Sequence, residues 1–376
     1  MRIIVSGDYC PRERVASEIE RGNFSSLFKE VKSVLDDSDY SIVNLECPVV
    51  ENVAQPIMKC GPNLKCNNKG IEALKWTGFD CVTLANNHFY DYGEEGVEDT
   101  LKALMRNELD YVGGGKNIYD ASKTLYKEIC GYKLAIINCC EHEFSIATES
   151  SAGSNPLNVI QQYYAIREAK QTSDYVIVVV HGGVEHFWLP SPRMKETYRF
   201  FVDAGADAVI NHHQHCYSGY EVFKNKPIIY GVGNYCFDGK RDNERWSTGY
   251  IISLNLCENI TDFSLIPYKQ CYQNEVGVHL LSKEERKVFN ERIKKYNSII
   301  TDDATNKDEY FQWCQNRENL YKFAINPIYN RYTRLFFDSI CGKKIFRKKW
   351  VYSKDIIENE SHVERLKMTI NNMIVK

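Results

Sequence analysis

At 376 residues the chain is long enough for one large α/β domain with an appendage or for two ordinary domains, and either arrangement buries a substantial core. An apolar share of 43% with 26% charged residues points away from disordered and membrane classes, and a formal net charge of −3 argues against general nucleic-acid binding. Nowhere is there a run near the roughly 18 apolar residues of a membrane span, and the opening MRIIVSGDYC leaves no room for a signal segment. The cytoplasm is therefore the expected location. The 14 cysteines are scattered and show no zinc-ribbon spacing, so most read as buried free thiols. Cys60 and Cys66, bracketing a Gly-Pro-Asn turn, are the pair to consider for a disulfide if the protein is exported.

In chain order, the β-branched runs RIIVS, DYSIVNL, DCVTLA, KLAIINC, YVIVVV and DAVI predict strands. Helical apolar spacing over Phe24 to Leu35, Ile71 to Trp76, Glu94 to Leu104, Leu157 to Lys170 and Arg193 to Ala204 separates them. Strand–helix alternation implies a largely parallel sheet, and PIIYGV, YIISLNL and DFSLIPY, with no long helices between them, suggest antiparallel additions. We divide the chain into a domain over residues 1–270 and a mostly helical extension over 271–376, whose charged character starts near Leu281. Ser282 and Glu285 have capping-box spacing at its first helix. The extension then carries the aromatic segment NPIYNRYTRLFF, the basic cluster GKKIFRKKW and an amphipathic stretch from Val363 to Ile374.

The chemistry lies where apolar runs end in polar residues: Asp8, Glu46, Asn87 with His88, His181, and the group His212, His213 and His215. Neighbouring parallel strands bring residues just past their carboxyl ends into one crevice. A single Asp after a strand is most often a cap or turn former, and a single buried His is usually hydrogen-bonded core. Five such strand ends together have metal-ligand composition. Mixed oxygen and nitrogen donors without a thiolate shell suit Zn, Mn or Fe, as one ion or two, and a hydrolytic rather than a structural site. His142, His186, His279 and His362 lack this context, although His186 shares a loop with His181.

The series GD, NLECP, LANNHFYDYGEEG, HGGVEH, DAGADAVINHHQH and PIIYGVGNYCFD resembles the CapA family of capsule and poly-γ-glutamate synthesis proteins, with the calcineurin-like metallophosphatase fold. The resemblance implies a four-layer α/β/β/α sandwich with metals between the sheet ends. It makes Asp8 a ligand of the first metal, Glu46 the bridging carboxylate, and Asn87, His181, His213 and His215 the remaining ligands, with His212 behind them. His88 then faces the scissile group, with Asp91 orienting it. Asn234 and Asp238 match the closing motif, where Asn234 is expected to bind substrate and a turn role is the alternative for both. Cys10 stands where the wider fold has a histidine ligand, so the ligand is either missing or a thiolate. Gly182 replaces a tryptophan, which removes an aromatic wall and implies a more open or more flexible loop. Outside these motifs, Arg193 is a candidate for steering an anionic substrate.

Two functions fit. One is a metal-dependent hydrolase cleaving a phosphoester, or an amide or ester bond, in a cell-envelope polymer or its precursor. The other is a non-catalytic, metal-binding assembly factor that docks on a polymer synthesis machine through the C-terminal extension. The basic and aromatic residues of that extension suit a peripheral contact with an anionic membrane or an acidic partner, or simply a solvated helix.

Overall fold

The computed structural model describes residues 1–52, 54–256, 262–317 and 351–375. Two sheets dominate. In the first, the spatial order is Val278–Leu280, Asp262–Gln270, Thr248–Asn255, Arg2–Tyr9, Tyr40–Leu45, Cys81–Thr83 and Asp110–Val112, and Asn234–Cys236 also pairs with Arg2–Tyr9. The second orders Tyr220–Phe223, Lys226–Ile229, Ala208–His212, Tyr175–His181, Tyr132–Cys140 and Leu125–Ile129. The central strands of each run parallel, and the antiparallel partners sit toward the edges.

The period-2 alternation of strand side chains sets the layers. Ile3, Val5 and Ile42 share a core with Ile136, Ile177 and Val209 of the second sheet, which continues to Ile166, Tyr198 and Phe201 on the helices Val159–Thr172 and Pro192–Ala204. Ile4, Val43 and Val82 point the other way, onto Ile19, Phe28, Leu74 and Val97 of the helices Glu13–Glu20, Phe24–Leu35, Asn68–Thr77 and Gly93–Arg106. The order is helix, sheet, sheet, helix, the four layers that the resemblance implies. Tyr175–His181 is buried along its whole length because both faces are covered, which explains its unbroken apolar run.

The helix Lys283–Thr301 opens with the expected capping box: the Glu285 amide donates to Ser282 Oγ (3.3 Å) and the Ser282 amide to Glu285 Oε2 (2.9 Å). Its buried Phe289, Ile293, Tyr296 and Ile300 lie on one face, with Phe289 and Tyr296 packed on Tyr217. Tyr310 and Trp313 of the following helix, Asp303–Gln315, pack on Phe187. The helical residues after 270 thus share the core of the sandwich, and Val278–Leu280, also past 270, extends the first sheet. The amphipathic stretch Val363 to Ile374 lies within the helix Glu360–Val375, while NPIYNRYTRLFF and GKKIFRKKW fall outside the described residues.

Several elements were not legible in the sequence. Leu125–Ile129 alternates half-buried and exposed positions at a sheet edge, and Asn234–Cys236 has only three residues. Neither offers an apolar run long enough to register. Among the described residues no helix is long and apolar enough to cross a membrane, and the described cysteines, Cys60 and Cys66 included, are free thiols.

Ser282→Ala should lower the unfolding free energy by about 1 kcal/mol, the usual value of an N-cap. Denaturant titration checks this; a loss below a few tenths would mean that the cap adds nothing to a helix already held by Phe289 and Tyr296.

Candidate metal centre

Register places the site. Asp8 lies opposite Asn44 on one neighbouring strand and Asn234 on the other, and His181 lies opposite both His212 and Cys140, so the ends of the central strands of both sheets meet. Asp8, Glu46, Asn87, His88, His181, His213 and His215 are all buried there. Two donor groups form within this cluster: Glu46 with His181 and His213, and Asp8 with Glu46 and His215. Glu46 belongs to both. Its Oε1 lies 3.6 Å from His181 Nε2 and 3.5 Å from His215 Nε2, while His213 Nδ1 and His181 Nε2 are 3.0 Å apart, with Asn87 Oδ1 3.1 Å from the latter. His213 and His215 both hold positive φ, 90° and 52°, a conformation that costs non-glycine residues about 1–3 kcal/mol.

The hydrogen bonds test whether a cation fits. Asn234 Oδ1 accepts from His215 Nδ1 (2.8 Å), its orientation fixed by donation from Nδ2 to the Trp246 carbonyl (3.0 Å). His215 Nε2 therefore presents a lone pair toward the carboxyl group of Glu46. Both Glu46 oxygens are buried without any hydrogen-bond partner. Burial, and then the nearby Asp8, push the Glu46 carboxyl well above its ordinary range. A divalent ion is the group that such a donor set lacks, and the residues fit one.

Beside the cradle, His88 Nδ1 donates to Asp91 Oδ2 (2.7 Å), as the resemblance implies. Sequence reading missed Lys59, whose buried ammonium pairs with Asp91 and stands 2.9 Å from His88 Nδ1. Burial first, and then Lys59, push His88 down to about 4. Asn44 was also missed: its amide donates to Asp8 Oδ1 (2.8 Å) and faces His181 Nδ1 (3.3 Å). A polar residue inside a strand, one position before Leu45, was its only signal. His212 donates to the Ser6 carbonyl (2.8 Å) and stands behind the cluster.

Three expectations need correction. Arg193 does not face an incoming anion: its guanidinium pairs with Glu141 and Glu364 and donates to Ser361 Oγ (3.1 Å). Asn234, expected to touch substrate, is buried and holds the His215 ring, and Asp238 is paired with Arg14 (2.8 Å). The loop at Gly182 is not open either, because a Cβ there would lie 2.7 Å from Glu141 Cγ, so Glu141 occupies the space a larger residue would need. An aromatic wall comes instead from Trp246, whose ring centre is 4.9 Å from that of His215. Cys10 packs in the helix-side core and is in neither donor group.

The cradle opens into a cavity of about 380 Å³. His88, Lys59, His186 and His213 line it together with Trp313, Tyr352 and Asp355 of the C-terminal segment.

The molecule is thus an α/β/β/α protein with a buried oxygen- and nitrogen-donor cradle at its strand ends. Residues 2–239 match the family described as bacterial capsule synthesis protein PGA_cap, and the chain belongs to that family. It is 34% identical over 240 residues to the capsule biosynthesis protein CapA of Bacillus anthracis, an alignment covering 62% of this chain and 58% of that protein. To the PGA biosynthesis protein CapA of Bacillus subtilis (strain 168) it is 32% identical over 237 residues, 62% of each. The chain thus spans less than two thirds of the length of either relative. Among solved structures, a hypothetical protein from Thermus thermophilus aligns with a TM-score of 0.47 at 15% identity, over 72% of this chain and 99% of that one. A putative 5′-nucleotidase from Staphylococcus aureus, in complex with alpha-ketoglutarate, aligns at 0.44 and 16% identity, over 77% and 57%.

Glu46→Gln tests the fit. In chelator the variant replaces a buried ionisable carboxyl with a neutral isostere, so it should be at least as stable as the wild type. Added Zn²⁺ or Mn²⁺ should raise the melting temperature of the wild type and leave the variant unmoved. Equal metal-induced shifts in both would remove Glu46 from the centre.

Proposed function

We propose that the protein is a metal-dependent hydrolase that acts on an anionic cell-envelope polymer or its precursor, cleaving a phosphoester or an amide or ester bond. The observation that carries this reading is Glu46, a buried carboxyl without a hydrogen-bond partner, shared by two donor groups at the strand ends. Asp8, Glu46 and His215 would hold one ion, and Glu46, Asn87, His181 and His213 a second; Zn, Mn and Fe all suit these donors. A bound ion of this kind supplies Lewis acidity and a water acidic enough to be a nucleophile near neutral pH. Membership of a capsule synthesis family supports the polymer, and Lys59, Arg317 and Arg365 around the cavity suit an anion.

The chain's own residues do the rest. Asp91, itself paired with Lys59, fixes the His88 ring from its Nδ1 side, which leaves Nε2 for the reacting group. As a neutral imidazole with its proton on Nδ1, His88 accepts a proton at Nε2 from the attacking water, as a general base. With its basicity pushed down to about 4, it is a neutral imidazole at pH 7 in the free protein.

His88→Ala should retain metal and lose about 10²- to 10⁴-fold in kcat on a generic aryl phosphodiester. In the wild type, kcat/KM should fall on the acid side near pH 4, and Lys59→Met, which removes a cation that depresses His88, should move that limb upward toward the ordinary histidine range. An unmoved limb would leave Lys59 no part in tuning His88. Metal bound without turnover on phosphodiester, ester and amide panels alike would favour the assembly factor over the hydrolase.

A further inference from the structure

The family match ends at residue 239, yet the site does not. Three consecutive residues after the strand Tyr132–Cys140 meet three consecutive residues at the start of the C-terminal helix in reverse order. Glu141 Oε2 accepts from the Ser361 amide (3.2 Å), His142 donates from its amide to Glu360 Oε2 (2.8 Å), and Glu143 Oε1 accepts from Asn359 Nδ2 (2.8 Å). Two of the three then reach the cradle. Glu141 Oε1 accepts from the Gly183 amide (2.9 Å), just past His181, and Glu143 Oε1 lies 3.5 Å from His213 Nε2. His213 turns its other nitrogen, Nδ1, toward His181 and the cradle, so Glu143 stands behind it as a carboxylate behind a metal-ligating imidazole, where it fixes the ring and raises its basicity.

We propose that residues 359–361 complete the metal centre, with Asn359 as a positioning residue that sets His213 through Glu143; this rests on the metal reading above. Asn359 is 1% exposed and has two separate duties. Its Oδ1 accepts from the His362 amide (2.9 Å) and caps the helix Glu360–Val375, while its Nδ2 restrains Glu143. Without that donor the Glu143 carboxylate, held by one bond fewer, turns away from His213. The C-terminal segment thereby governs how tightly the centre holds its ion.

The two duties can be separated by substitution. Asn359→Asp keeps the capping oxygen but replaces the donor with a carboxylate facing Glu143. In the full-length, chelator-stripped protein, calorimetric titration with Mn²⁺ should give affinity about 10-fold weaker than wild type, the lower end of what losing a partner behind a ligating histidine costs. The metal-free melting temperature should fall in this variant, because a buried carboxylate then faces Glu143. Asn359→Ser, which also caps but lacks the amide, should show the same loss without added charge, and keeps the test open if the Asp variant folds poorly. Adding Glu143→Gln to Asn359→Asp restores a donor–acceptor pair, so the double variant should bind Mn²⁺ no more weakly than Glu143→Gln alone. Wild-type affinity in both Asn359 variants, or strictly additive losses in the double variant, would overturn the proposal. No Mn²⁺ binding by the wild type would overturn the metal reading itself.

Discussion

Taking a carboxylate out of water costs several kcal/mol unless hydrogen bonds or a cation replace its hydration. Glu46 is fully buried and makes no hydrogen bond, with imidazole nitrogens no nearer than 3.5 Å, and Asp8 beside it adds like-charge repulsion. Its surroundings make the same demand: a lone pair on His215 aimed at it, two imidazole nitrogens 3.0 Å apart, and two histidines held at positive φ. A hydrophobic core built for stability alone would not keep these features. They are consistent with strain retained for a ligand that satisfies all of them at once.

The fold makes that concentration possible. Parallel strands in both sheets aim their carboxyl ends at the same edge, so residues far apart in the chain meet without long loops. The layers behind the site are apolar and closely packed, and they fix the strand ends to which its ligands are attached. The hydrogen bonds one step out, from Asn44 to Asp8 and from Asn234 to His215, then orient the donor atoms.

Much of this was legible in the sequence, because buried parallel strands read as apolar runs and a polar residue at the end of each stands out. Asp8, Glu46, Asn87, His181, His213 and His215 were found in that way, and the structure brings them together. What stayed hidden depends on distance rather than pattern. Lys59 follows an irregular stretch with no period, and nothing local ties it to Asp91. Arg193 looked like a free helix arginine because its partners Glu141 and Glu364 are 52 and 171 residues away in the chain. Gly182 suggested open space where Glu141 fills it. Composition could mark residues 271–376 as a helical extension, but their packing on Tyr217 and Phe187, and their approach to the cavity, required coordinates.

The account depends on a cation at Glu46, and locating that cation tests it most directly. Crystals grown with Zn²⁺, measured on both sides of its absorption edge, should give an anomalous peak about 2.0–2.2 Å from a Glu46 oxygen, with nitrogen ligands from His215 or from His181 and His213. No peak at Glu46, or zinc bound only elsewhere on the protein, would contradict it.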